Sequence, residues 1–259
     1  MKALKLTLYG RTAHFKNPDI NNKDYRFSYG HLHRVALLGL FGAILGLPGY
    51  SLIGKSRKEK KDGAIDLPGF YKELSHLKTA IVPLTENGQF AKKVHEFSDT
   101  TGFSNQATHE GTTMVFKEQW LHQVAWTVYV LLDCDQSLQL ADYIINNKSV
   151  YPIYFGKNSH FASIRDAGFV LLEESDSNRS DSFIEAGSVK IKEASFREKF
   201  DFFNQEEEEE DVYQYTEQLP VALCQETLLY KQKWLLLTNQ AIETNQSIYT
   251  DGENQFVFM

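Results

Sequence analysis

Arg34-Val35-Ala36-Leu37-Leu38-Gly39-Leu40-Phe41-Gly42-Ala43-Ile44-Leu45-Gly46-Leu47 is the stretch whose reading decides the fold. It is apolar almost throughout, and Gly39, Gly42 and Gly46 recur at spacings of three and four. At ~100° per residue those glycines share one helix face, where missing side chains let another backbone come close. Tyr29-Gly30 before it and Pro48-Gly49 after it are breaks, so the pattern predicts a core helix over 31–47. Toward the N-terminus, Leu4, Leu6 and Leu8 alternate with Lys5, Thr7 and Tyr9, which predicts a strand over 3–11 with one buried face. Between strand and helix lie Arg11, His14, Lys16, Asn17, Lys23, Arg26, His31, His33 and Arg34, interleaved with Phe15, Tyr25, Phe27 and Tyr29. Cations neutralise phosphates and flat rings stack on bases, so this mixture suits single-stranded nucleic acid. A solvated loop leading into a core helix fits the same composition.

Outward in the other direction, 67–77 reads as a short helix and Thr79–Leu84 as an edge strand interrupted by Pro83. Residues 85–111 are polar and glycine-punctuated, a connection of the length used for lids and projecting arms. Thr112–Leu132 is the strongest β signal and is apolar on both faces at its end, as a central strand requires. Asp133 or Asp135 would cap a helix over 136–146 with Leu138, Ala141 and Ile145 toward the core. Tyr151–His160 is a turn in which Gly156, beside Lys157 and Asn158, would set backbone amides and a cation against a phosphate. A strand over 161–172 follows. The order is βαββαβ, that of an α+β, ferredoxin-like sheet with an insertion between its second and third strands. Residues 173–182 read as a polar linker. Residues 183–259 read as a small β-rich part with strands at Ser188–Ile191, Val212–Tyr215, Leu228–Leu237 and Gln255–Met259.

The 259 residues carry a net charge of −7, which alone argues against a nucleic-acid partner. The distribution argues the other way. Residues 1–61, with the run Lys55–Lys61, hold twelve Lys/Arg against three Asp/Glu, a net of +9, whereas 62–259 carry −16. Such asymmetry makes one end an anion-binding surface. Glu206–Asp211 reads as an exposed acidic loop. Cys134 and Cys224 have no metal or redox spacing, Met1–Gly10 alternates where a signal peptide would be apolar, and no apolar run reaches the ~20 residues of a membrane span. These features predict a cytoplasmic chain without a membrane partner. His31-x-His33 lacks carboxylate or thiolate company and the glycine helix is no nucleotide fingerprint, so no metal or cofactor is expected.

Three motifs in order, Leu8–Lys16 (LYGRTAHFK), Arg34–Leu47 and Tyr151–Asn158 (YPIYFGKN), resemble the Cas five family. These are the CRISPR-associated RAMP subunits of type I Cascade complexes, and the chain looks most similar to type I-B members. The likeness covers 1–172. It implies a ferredoxin-like (RRM-like) RAMP domain with a β-hairpin thumb at about 85–115, and a variable, β-rich C-terminal part over 183–259. It also implies a role in antiviral defence: holding the 5′ handle of the CRISPR RNA (crRNA) and capping the backbone-subunit filament beside the large subunit. Target DNA would be met only through the complex. The residues then expected at the RNA are Arg11, His14, Phe15, Lys16, Asn17, Tyr29, His31, His33, Arg34, Lys157 and Asn158. Type I-C relatives cleave precursor crRNA without metal, using groups drawn from His, Lys and Tyr. Tyr29, His31 and His33 would be the local candidates, but no Lys-His pair stands on 112–132, where Lys117 is alone and His122 lies in an apolar stretch. A non-catalytic binding subunit is the expectation, with a metal-independent endoribonuclease as the alternative.

Overall fold

The structure, a computed structural model, describes residues 1–22, 25–52, 66–99, 114–192 and 212–259. Lys23, the basic run Lys55–Lys61, the end of the 85–111 segment and the acidic run Glu206–Asp211 lie outside the described residues.

The sheet is built on its longest strand. β1 (Lys2–Ala13) is followed by two-residue strands β2 (Phe15–Lys16), β3 (Tyr25–Arg26) and β4 (Ser28–Tyr29), then by helices α1 (Arg34–Leu45) and α2 (Gly69–Leu74). β5 (Thr79–Pro83), β6 (Ala91–Asp99) and the 18-residue β7 (Met114–Leu131) come next, then α3 (Asp135–Ile145) and β8 (Ser163–Leu171). From Leu121 onward β7 pairs with β1, and on its other side with β5; β8 pairs with β1. The spatial order is therefore β8-β1-β7-β5, with every neighbouring pair antiparallel. Leu4, Leu6 and Leu8 of β1 share one buried cluster with Leu37, Leu38 and Phe41 of α1 and Leu140, Ala141 and Ile144 of α3. The opposite face is buried as well: Ala3, Ala80, Val82 and Tyr129 pack with Phe256, whose ring stacks on Tyr129 at 3.9 Å. Burial on both faces is why this part of β7 is apolar without alternation.

The long polar segment is partly a strand. β6 runs antiparallel to the first half of β7, from Ala91 opposite His122 to Asp99 opposite Met114, so the two extend the sheet as a ribbon beyond β1. On the far side of that ribbon β3 lies parallel to β7, with Arg26 opposite Glu118.

Local expectations are corrected in four places. α1 starts at Arg34 because His33 is its N-cap, its Nδ1 accepting from Ala36 N at 3.2 Å, and ends at Gly46 in the left-handed conformation. The glycine face meets side chains and not a close backbone, Phe70 of α2 at Gly39 and Gly42 and Val150 at Gly46; a methyl group at Gly42 would overlap Phe70, which fills the notch. α3 is capped by Cys134 with a reciprocal Ser137 bond, not by Asp133 or Asp135, and that start leaves Leu138 and Ile145 exposed while Leu140, Ala141 and Ile144 are buried. Residues 173–182 are no linker. They hold β9 (Glu173–Ser175) and the start of β10 (Ser180–Glu185), where the buried hydroxyls of Ser180 and Ser182 find backbone partners.

The C-terminal strands are β11 (Val189–Ile191), β12 (Gln214–Leu223), β13 (Tyr230–Thr238), β14 (Ile242–Thr244), β15 (Ile248–Thr250) and β16 (Gln255–Phe256). They form the sheets β10-β13-β12, β11-β14 and β16-β15-β9. Phe183, Leu219, Leu223, Leu235 and Leu237 belong to the same buried cluster as α1 and β1, so one core serves both parts of the chain. Thr79 and Met259 exchange backbone hydrogen bonds, which ties the C-terminal residue to the start of β5.

Candidate functional site

Period-2 alternation puts Phe116, Glu118, Trp120 and His122 of β7 on one face of the ribbon. Cross-strand pairing sets Phe97, His95, Lys93 and Ala91 of β6 opposite them, and β3 brings Arg26 alongside. The exit of β1 and the Tyr151–His160 turn close this face. His14 N donates to Phe155 O, and Gly156, at φ +78°, lies so close to the His14 carbonyl that a side chain there would collide with it. That contact delivers Lys157 and His160 to the ribbon.

Glu118, 1% exposed, anchors the cluster. It accepts from Arg26 at 2.9 Å, from Lys157 at 3.0 and 3.1 Å, and from Trp120 Nε1 at 3.1 Å. Burial alone would raise its pKa, but these donors outweigh burial and hold it down to about 2. One carboxylate thus fixes two cations that remain about one-third exposed. Arg26 also lies over Phe116 at 4.2 Å and Lys157 over Phe97 at 5.0 Å. His95 stacks on Trp120 at 4.1 Å and its Nε2 stands 3.0 Å from Nε2 of His122. His160 Nδ1 lies 2.7 Å from Thr12 Oγ1, and His14 Nδ1 lies 3.0 Å from Gln119 O. Burial, then His14 and Lys157, lowers His160 to about 4; burial also lowers His14, against its bond to Gln119. Guanidinium, ammonium and half-exposed rings on one face can take a phosphate and stack an unpaired base.

The expected RNA residues divide into four groups. His14 and Lys157 join this cluster; Arg11, Lys16 and Asn158 are exposed and Asn17 is half-buried beside it in sequence. Phe15, Tyr29, His31 and His33, 0–4% exposed, are core residues with no free ring face. Phe15 sets its edge against Trp126 and Phe155, Tyr29 against His33 and Tyr230, and His31 binds the Gly88 carbonyl at 2.8 Å. Burial pushes both His31 and His33 down to about 3, so both rings are neutral near pH 7. Arg34 donates to the carbonyls of Ser75, Leu77, Val221 and Met259, tying α1 to α2 and the C-terminal strands. His95, Glu118 and Trp120 are site residues that the sequence did not bring forward; Arg26 stood in the basic stretch and His122 in the strand, but neither was among the residues expected at the RNA. The signal present was Phe-x-Glu-x-Trp-x-His over 116–122 beside Lys-x-His-x-Phe over 93–97. Among the described residues no three His, Cys, Asp or Glu are grouped to hold a metal ion, and no helix is long and apolar enough to cross a membrane.

No protein-family model matches the chain, and no curated protein does. Among solved structures, a CRISPR protein from Archaeoglobus fulgidus aligns at TM-score 0.49 and 11% identity, over 100% of this chain and 98% of its own. A CRISPR RNA-guided surveillance complex chain aligns at 0.48 and 13%, over 93% and 91%. A chain of a type III-B Cmr-beta complex bound to cognate target RNA aligns at 0.39 and 11%, over 93% and 85%.

Proposed function

We propose that this chain is a non-catalytic RNA-binding subunit of a CRISPR effector complex, holding the 5′ handle of a guide RNA on the ribbon face around Glu118. The observation that carries the reading is the fixed pair Arg26 and Lys157, set on one buried carboxylate among Phe97, Phe116 and Trp120. A single charge spent on orienting two leaves the face cationic, in a chain that is acidic as a whole. The finer reading is a ferredoxin-like RAMP domain of the Cas five family, type I-B, with β6 and β7 as the root of its thumb. The strand order β8-β1-β7-β5 supports it, as do the three motifs, two of which pack against each other at His14 and Phe155. Its further partners in that reading are the backbone subunits and the large subunit.

Filter binding of a 5′-handle RNA across a salt series tests this. Replacing Arg26 and Lys157 with Ala should reduce the slope of log affinity against log salt by about 1.4, at roughly 0.7 per single-strand phosphate contact. Replacing Lys231 and Lys233 should leave the slope unchanged. Equal effects from the two pairs would place the RNA elsewhere. A second reading, metal-independent cleavage of precursor crRNA, is favoured by the proximity of His95 and His122 at the same face. Product formation in the same incubations, absent from a catalytically inert subunit, separates the two.

A further inference from the structure

We propose that His95 and His122 form a proton-coupled seat for one tetrahedral oxyanion, such as an RNA phosphate or a free sulfate, at the root of the ribbon. The two Nε2 atoms are 3.0 Å apart and the rings are nearly parallel, at 19°. At that distance one nitrogen donates and the other accepts, so the neutral pair holds a single proton between them. A second proton would set two N–H groups against each other. The contact then opens unless an oxygen comes between them and accepts from both.

Among the described residues, the one carboxylate of this cluster is already engaged. On β7, Glu118 is already bonded to Trp120, Lys157 and Arg26. The other charged groups facing the pair are cations: Lys93 on β6, opposite Trp120, with Lys157 from the turn and Arg26 from β3. His14 from the β1 exit and His160 from the turn are buried and held neutral. Burial, then His95 and Lys93, lowers His122 from its ordinary value. His160 Nε2, 1% exposed in the same cluster, has no hydrogen-bond partner among the described residues. An external anion is therefore what would stabilise the doubly protonated pair, and by linkage its binding takes up one proton. His95 cannot swing far, because it is stacked on Trp120.

The RNA part of this inference rests on the proposed function, whereas the sulfate part does not. Isothermal titration of the full chain in buffers of different ionisation heat counts the protons taken up. Sulfate and 5′-handle RNA are the two probes, since sulfate itself does not titrate between pH 5.5 and 8. One coupled proton raises affinity up to about tenfold per pH unit as pH falls. H122Q and, separately, H95Q should abolish the uptake, and His76→Gln, at an exposed position, should not. Histidine proton resonances read in parallel should show His122 titrating higher with sulfate present. Proton uptake with sulfate but no RNA binding leaves the seat standing and overturns the RNA reading. RNA binding with no proton uptake, and no movement of His122 with sulfate, overturns the seat and leaves the RNA reading intact. Uptake unchanged in both glutamine variants also overturns it.

Discussion

A histidine with no solvent contact is costly to charge, and α1 begins on one. His33 caps the helix through Nδ1 while its ring sits edge-on to Phe15, Tyr29 and Tyr230. The cap needs a lone pair, so protonation would remove it as well as bury a charge. Burial lowers His33 from 6.5 to about 3, and His31 likewise. Below about pH 6.5 the unfolded chain takes up these protons and the folded chain does not, so stability falls with pH by about 1.4 kcal/mol per unit for each group. His33→Asn keeps an N-cap acceptor and cannot titrate. Urea unfolding from about pH 6 to pH 4.5 should show a slope shallower by about 1.4 kcal/mol per pH unit in that variant. An unaltered slope would mean that His33 is not held neutral. At this scale sequence reading ran out at burial. His14, Phe15, His31 and Arg34 are residue types that bind RNA, and they are equally the types that fill and tie a core; which they do depends on neighbours 40 to 225 positions away.

Elements were more legible than side chains, because periodicity reports local geometry. β1, β5, β7, β8, α1 and α3 all stand within a few residues of their expected ranges. What failed was rotation and partnership. The α3 stripe shifted because Cys134 with Ser137 starts the helix, and β6 was hidden because Lys92 to Glu96 is polar on both faces and gains strand geometry only from β7. The glycine notch was visible, but its occupant was not. Gly42 and Gly39 now separate cleanly. A side chain at Gly42 overlaps Phe70, so Gly42→Leu should cost ~1–3 kcal/mol through overpacking. Gly39 has Phe70 at an ordinary 3.9 Å, so Gly39→Ala should be neutral or gain up to ~1 kcal/mol of helix propensity. Melting temperatures of the two variants check this, and a Gly42→Leu protein as stable as the parent would mean that α2 does not seat in the notch.

At the scale of the whole molecule, the division into 1–172 and 183–259 meets a shared core. Composition suggested the boundary: 173–182 is polar, and the residues after it read as a run of short strands. Composition cannot see that the serines at 180 and 182 are small enough to be buried with their hydroxyls bonded, which lets Phe183 enter the main cluster. A chain that stops at 172 lacks Phe183, Leu219, Leu223, Leu235 and Leu237, and the α1 and β1 side chains of the same cluster lose the cover these five give. Each large apolar side chain uncovered in this way costs up to ~1.5–3 kcal/mol, an upper range because the unfolded chain is itself partly compact. An ordinary domain is stable by only about 5–15 kcal/mol, so uncovering a few such side chains removes a large part of it. Arg34 would lose its Val221 and Met259 carbonyls in the same truncation, leaving a half-buried guanidinium with two of its four acceptors gone. The fragment 1–172 should therefore show no cooperative urea transition, and the full chain a single one. A cooperative transition in the fragment, with 5′-handle RNA still retained, would make the C-terminal part an appendage to the core.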